Sequence, residues 1–216
     1  MANYTTLTGA KTVDGSIKQW VNDGTIPASV VLTEAEQFIY TRLRVREMKK
    51  LYTGTVSSGQ TTLTLSSVAP RLLEPISFRR AAAAAGRIYI RDQQYFEERL
   101  ATDTDGTLFS GIPTECCFDN TYIYFNVSTD ATYYLRLWYY ERPAALAGGN
   151  LTNFLTDYYP RLLRHACMMA AFDFMKEPQA RDYHTKLTIA EIESANAQAD
   201  VFNQALDEDL HWEHMG

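Results

Sequence analysis

Residues 54–61 read GTVSSGQT, one substitution away from the phosphate-binding loop G-x-x-x-x-G-K-[ST] of nucleotide hydrolases. Whether it is that loop decides the fold, because such a loop must lie between a strand and a helix. Its chemistry needs backbone amides curled around phosphates, a lysine on the terminal phosphates and a helix N-terminus behind them. Gln60 stands where the lysine belongs. The residues before the stretch, TEAEQFIYTRLRVREMKKLY (33–52), have helical character, and those after it, TTLTL (61–65), alternate like a strand. The element order is reversed. Glycine and serine between extended segments mark a turn, since glycine adopts positive φ without steric cost. The stretch therefore predicts a β-hairpin turn without nucleotide affinity.

Downstream of that turn the apolar period is two. TTLTLSS (61–67), EPISFRR (74–80), GRIYIR (86–91), TECCF (114–118), TYIYFNV (121–127) and TYYLRLWYY (132–140) read as strands separated by Gly, Pro, Asp or Asn. DQQYFEERL (92–100) reads as a short helix opened by Asp92. PAALAGGN (143–150) has the composition of a connector.

Outside this block the period is helical. SIKQWVND (16–23) predicts a short amphipathic helix with Ile17, Trp20 and Val21 on one face. Thr33 and Glu36 have the spacing of a capping box, opening a helix to Leu51 whose Phe38, Ile39, Leu43 and Val45 spread widely around it. Asp157 is the expected cap of a further helix with Pro160 in its first turn. Tyr159, Leu162, Leu163, Ala166, Ala170 and Phe174 share its apolar face. After a break at Glu177 and Pro178, a long helix spaces Tyr183, Leu187, Ala190, Ser194, Ala197 and Val201 by fours and threes. That seam, rich in small residues, predicts close antiparallel packing on the preceding helix.

The expected fold is α+β: a helical bundle from both chain ends with an inserted antiparallel β-rich module. Its segments are N-terminal helices over 1–51, the β-rich insert over 52–142, a helix pair completing the bundle over 143–206, and an assembly tail over 207–216. No internal repeat is visible, and AAAAAG at 81–86 is the low-complexity run.

Composition narrows the function. The 216 residues are 46% hydrophobic and 21% charged, ordinary for a globular protein with a real core. No apolar run approaches the roughly 20 residues that span a bilayer, and the start, MANYTTLTGAKTVDG, lacks the regions of a secretory signal. Synthesis and use in a cytoplasm, with no membrane partner, is the expectation. The net charge of −6 argues against charge-driven DNA binding, though not against a surface that DNA slides past. Fourteen tyrosines and ten phenylalanines are many for this length and suit subunit interfaces as well as cores.

Chemistry-bearing clusters are sparse. Cys116, Cys117 and Cys167 read as small buried residues, since three cysteines with two adjacent form no disulfide framework. His165 and Cys167, two apart on a helix, point in different directions. Asp209, His211, Glu213 and His214 have metal-ligand chemistry, and the alternative function is a small metal-binding protein or enzyme using this cluster. A tail, however, lacks the supporting shell of a tight site. No cofactor is expected. RLRVREMKK (42–50) carries Arg42, Arg44, Arg46, Lys49 and Lys50, and a nucleic-acid patch is weighed against subunit salt bridges or a solvated face. Arginines two apart fan out around a helix, which favours the latter.

The run FLTDYYPRLLRHACMMAAFDFMKEPQARDYHTKLTIAEIESANAQA, beginning at Phe154, resembles tailed-phage head–tail adaptor (connector) proteins. A proline-marked helix with leucines and alanines is followed by an acidic-proline break and an alanine-rich helix, clearest over 154–205. The resemblance implies a non-enzymatic virion component: a twelve-fold ring beneath the portal that extends the DNA channel toward tail or nozzle proteins. DNA would pass without sequence-specific binding, and the protein would occupy the host cytoplasm only during assembly. It also implies a C-terminal extension docked on the portal, for which Leu210, His211, Trp212 and Met215 are the candidate contacts. Ala190, Ser194, Ala197, Arg42 and Arg46 are the candidate helix or subunit packing residues.

Overall fold

The computed structural model describes residues 3–81, 86–98, 100 and 106–212. The chain groups into two compact units, one formed by residues 1–47 with 143–216 and the other by 48–142. The first holds helices α1 (Tyr4–Leu7), α2 (Ile17–Trp20), α3 (Ala28–Arg42), α6 (Phe154–Tyr158), α7 (Pro160–Phe174) and α8 (Pro178–Trp212). The second holds strands β1 (Lys49–Val56), β2 (Thr62–Thr64), β3 (Leu72–Arg80), β4 (Arg87–Arg91), β5 (Ser110–Gly111), β6 (Glu115–Phe118), β7 (Tyr122–Phe125), β8 (Ser128–Thr129) and β9 (Tyr133–Glu141). Helices α4 (Leu65–Val68) and α5 (Gln93–Glu98) lie between these strands in sequence. The class is mixed α and β, as composition and period predict.

Helix α3 starts five residues before the predicted cap and ends nine before Leu51. Thr33 lies in its interior, its hydroxyl donating to the Ser29 carbonyl at 2.9 Å. The capping-box spacing misleads because Ala28, Val31 and Leu32 already bury a turn upstream. At Leu43 the chain turns extended, and Leu43 and Val45 then bury by alternation, not helical period. Asn196 of α8 holds this exit: its Oδ1 accepts the Arg44 amide at 2.7 Å and its Nδ2 donates to the Arg42 carbonyl at 3.0 Å.

Glu36 is a buried hub instead of a cap. It is 1% exposed and accepts the Tyr40 hydroxyl at 2.9 Å, the Asn153 side-chain amide at 3.0 Å and the Leu146 backbone amide at 3.1 Å. Asn153 is also the cap of α6, in a reciprocal capping box with Thr156, so Asp157 is an interior helical residue and not the cap. Pro160 occupies the first turn of α7, where its missing N–H costs nothing.

Helix α7 buries Leu162, Leu163, Ala166, Cys167, Ala170 and Ala171, while Phe174 is 57% exposed. Lys176, at φ 59°, turns the chain before Pro178 opens α8. On α8 the buried stripe is His184, Thr188, Ile192 and Ala195. The predicted seam lies beside it: Ala190, Ser194 and Ala197 are exposed, as is Tyr183. Apolar spacing could not score a stripe containing His and Thr, yet Thr188 is satisfied internally, its hydroxyl donating to the His184 carbonyl at 2.8 Å. The helix continues to Trp212, so residues 207–212, expected as an assembly tail after the helix pair, belong to it.

The β unit forms a seven-stranded sheet in the order β1-β9-β3-β4-β6-β7-β2, with a separate two-stranded pair of β5 and β8. It is mostly antiparallel, but β4 pairs with β6 in parallel across the connection carrying α5, as does β5 with β8. The first and last strands of the unit, β1 and β9, are direct neighbours with Lys49 opposite Tyr140. One face buries Val56, Phe78, Ile88, Leu135 and Leu137 together with Ile123 and Phe125. Asp92 does open α5, accepting the Tyr95 amide at 2.9 Å.

Removing the Glu36 side chain takes the acceptor from the buried Tyr40 hydroxyl and from the Leu146 backbone amide, while the Asn153 amide keeps the Tyr40 oxygen and the Ala144 carbonyl. Glu36→Ala is expected to cost on the order of 3 kcal/mol in urea unfolding. A loss below about 1 kcal/mol would show that water replaces the carboxylate.

Candidate functional site

The stretch 54–61 closes onto β8 instead of offering amides to a phosphate. The Gly59 amide donates to the Thr129 carbonyl at 2.6 Å, and the Gln60 amide donates to the Thr129 hydroxyl at 3.1 Å. That hydroxyl in turn donates to the Ser57 carbonyl at 2.6 Å. Gln60 has its own task, its Oε1 accepting the Ser57 amide at 2.7 Å. Gly59 takes the positive φ, 82°, that the turn requires. The turn is not a hairpin, however, since β1 pairs with β9 and β2 with β7. A strand follows where a phosphate loop needs a helix.

The cysteines are chemically quiet. All three are buried, and burial pushes their thiols up, so they stay protonated. His165 turns away from Cys167 toward His184 of α8. The two rings stack with centroids 5.4 Å apart and their Nδ1 atoms 3.2 Å apart, so one nitrogen donates and the other accepts. Phe172 stacks on His184 at 5.6 Å. Desolvation holds both imidazoles below their ordinary value, Glu191 partly opposing this at His165, and Arg164 reinforcing it at both. Sequence reasoning passed over His184, although spacing by four through Thr188 and Ile192 marks it.

Of the residues singled out for assembly, Ala190, Ser194, Ala197, Arg42 and Arg46 are exposed. Ala190 and Ser194 line an open groove of about 460 Å³ with Tyr159 and Leu187, bounded by an Arg161–Glu191 ion pair at 2.8 Å. Arg42 and Arg46 are exposed but not on one helix, because α3 ends at Arg42 and Arg46 starts a separate turn. Arg42 folds over the Phe38 ring at 3.9 Å. Leu210, His211 and Trp212, with Asp209, fall on the last turns of α8, and Glu213, His214 and Met215 lie outside the described residues. Among the described residues no three metal-capable side chains stand together, and no helix is long and apolar enough to cross a membrane.

Charge is divided unevenly between the units. Residues 48–142 carry ten Lys and Arg against ten Asp and Glu, whereas the rest of the chain carries ten against sixteen. The whole net charge of −6 thus belongs to the helical unit. Residues 187–216 hold seven carboxylates and no Lys or Arg.

The profile of the SU10 adaptor protein family matches residues 8–209. The chain belongs to the SU10 adaptor protein family. The match bears out the resemblance to phage head–tail adaptors and extends it from 154–205 through the β unit and helices α2 and α3. An SU10 adaptor protein is a structural component of a phage particle, and at the level of the family it is not an enzyme. No curated protein matches the chain.

The histidine pair gives this adaptor a pH signature. Both folded-state pKa values lie below the unfolded value near 6.5, so the neutral pair stabilises fully above it and that contribution is lost as pH falls below it. The melting temperature is expected to fall between about pH 7 and pH 5, and His184→Phe to flatten that fall. An unchanged slope in the variant would place the acid sensitivity elsewhere.

Proposed function

We propose that the protein forms a ring beneath the portal of a tailed phage, extends the DNA channel and offers the site to which tail or nozzle proteins attach. The family match over residues 8–209 carries this reading. Twelve copies would match a twelve-fold portal. In this reading the helical unit is the bundle that the two chain ends build together, and 48–142 is the module inserted into it. A net-acidic ring lets DNA pass without sequence-specific binding, since clustered cations are needed to hold it. Assembly in the host cytoplasm precedes residence at the head–tail junction of the virion.

Helix α8 supports the portal contact. At 35 residues it is about 50 Å long, more than twice the 15-residue α7 on which it packs, so its C-terminal part runs on past that helix. Leu210, His211, Trp212 and Met215 would supply apolar anchors to the portal there. The exposed small residues Ala190, Ser194 and Ala197, with Arg42 and Arg46, would serve contacts between subunits, where small side chains let another backbone approach.

Purified protein mixed with portal-bearing capsids that lack it is expected to co-sediment with them and to appear as rings by negative stain. Deleting residues 207–216 should abolish attachment while the melting temperature stays nearly unchanged. Trp212→Ala should weaken attachment roughly 30-fold to 1,000-fold, the loss typical of a tryptophan hot spot. Normal attachment of the truncated chain would overturn the role of the tail. Zinc that stabilises the full chain and not the truncated one would favour the metal reading.

A further inference from the structure

The sheet face turned away from the β-unit core has an unusual composition. Arg79 of β3 stands directly opposite Arg136 of β9 on one side and Arg87 of β4 on the other, and Thr53 of β1 stands opposite Arg136. Three exposed arginines therefore form one row across three adjacent strands. None of them forms an ion pair among the described residues. The row is flanked by Trp138, 40% exposed and opposite Leu51, and by Tyr134, 68% exposed. Arg79, Arg136 and Trp138 line a hollow of about 350 Å³.

Like charges directly opposite one another on neighbouring strands destabilise a sheet. Two such pairs side by side work against the isolated chain, and a partner bearing anions removes the conflict. The flanks indicate what kind of partner. Trp, Tyr and Arg dominate the energetics of protein interfaces. Burying Leu51 and Trp138 needs an apolar surface, which a sugar-phosphate backbone does not offer. The chain itself carries the complement, since residues 187–216 combine seven carboxylates with apolar side chains and no cation.

Spacing agrees. Glu193 and Asp200 are exposed on α8 and make no ion pair among the described residues. Seven residues apart, they share a face and stand about 10 Å apart along the axis. Arg136 and Arg87, two strands apart, are likewise about 10 Å apart.

We infer that the row Arg136–Arg79–Arg87 is a docking surface for the acidic stretch of α8 from Glu193 onward, contributed by a second copy of the chain. The inference rests on the ring reading and adds which surfaces of neighbouring subunits meet. Each row is incomplete without the neighbour's carboxylates.

Arg136→Lys places an amine in the row that carbodiimide couples to any carboxylate in contact. An equal mixture of ¹⁵N-labelled and unlabelled variant, cross-linked in solution and on portal-bearing capsids, is expected to give mixed-label peptides joining Lys at 136 to Glu193, Asp200 or residues 207–209. Coupling only within one copy, coupling to the portal protein, or no mixed-label product in either setting overturns the inference. A second variant separates docking from folding. Arg79→Gln is expected to raise the melting temperature of the isolated protein while weakening self-association in sedimentation roughly tenfold. Unchanged association sinks the inference, as does duplex DNA binding by fluorescence anisotropy that Arg79→Gln removes while association persists. If the variants join capsids as the parent does, the docking surface is wrong and the adaptor reading stands. If the parent itself fails to join capsids, the adaptor reading falls, and the cross-links in solution still decide the docking surface.

Discussion

A single buried carboxylate ties the two ends of this chain into one unit. Glu36 accepts from Tyr40 on its own helix, from Leu146 in the connector after the sheet, and from the Asn153 that caps α6. A buried carboxyl group is tolerated only when its oxygens are hydrogen-bonded, so these donors cannot be supplied by segments that come and go. The connector 143–150 is thereby held against α3. From there the capping box at Asn153 sets α6, Pro160 starts α7, and α7 supplies the surface on which α8 lies. Asn196 completes the circuit by pinning the end of α3.

Much of this was legible in residue order. The switch from helical period to period two and back marked the β unit, and the Pro178 break separated α7 from α8 in the place the structure puts it. What escaped shares one cause: polar residues in buried positions. Glu36 has the spacing of a capping residue and is a core residue. His184 and Thr188 interrupt the apolar pattern and yet are the buried stripe, so the seam was placed on Ala190 and Ser194, which are exposed. Pairing order was illegible for another reason. Nothing local in GTVSSGQT tells that its flanking strands join different neighbours, because strand partners are chosen by contacts far away in sequence. The parallel pairing of β4 with β6 is hidden in the same way.

The candidate surfaces show a similar division. Arginines two apart at 42, 44 and 46 drew attention as a run, whereas Arg79, Arg87 and Arg136 are scattered in sequence and assembled by register. A one-dimensional charge count sees a net-acidic protein and misses that one unit is neutral overall while presenting a basic row. The thiols are buried and protonated, and the histidines are engaged with each other, with Phe172 stacked on the buried His184. A surface of shape and charge fits the structural role of the adaptor family to which the chain belongs.

The adjacency of β1 and β9 has a bearing on how such a chain can diversify. Lys49 lies across from Tyr140, so residues 48–142 leave and return within about one strand spacing of each other. To the helices, that whole stretch is equivalent to a tight loop whose closure is already accomplished by a ladder of backbone hydrogen bonds. The intervening cassette can therefore change in length without changing where the chain enters and leaves it.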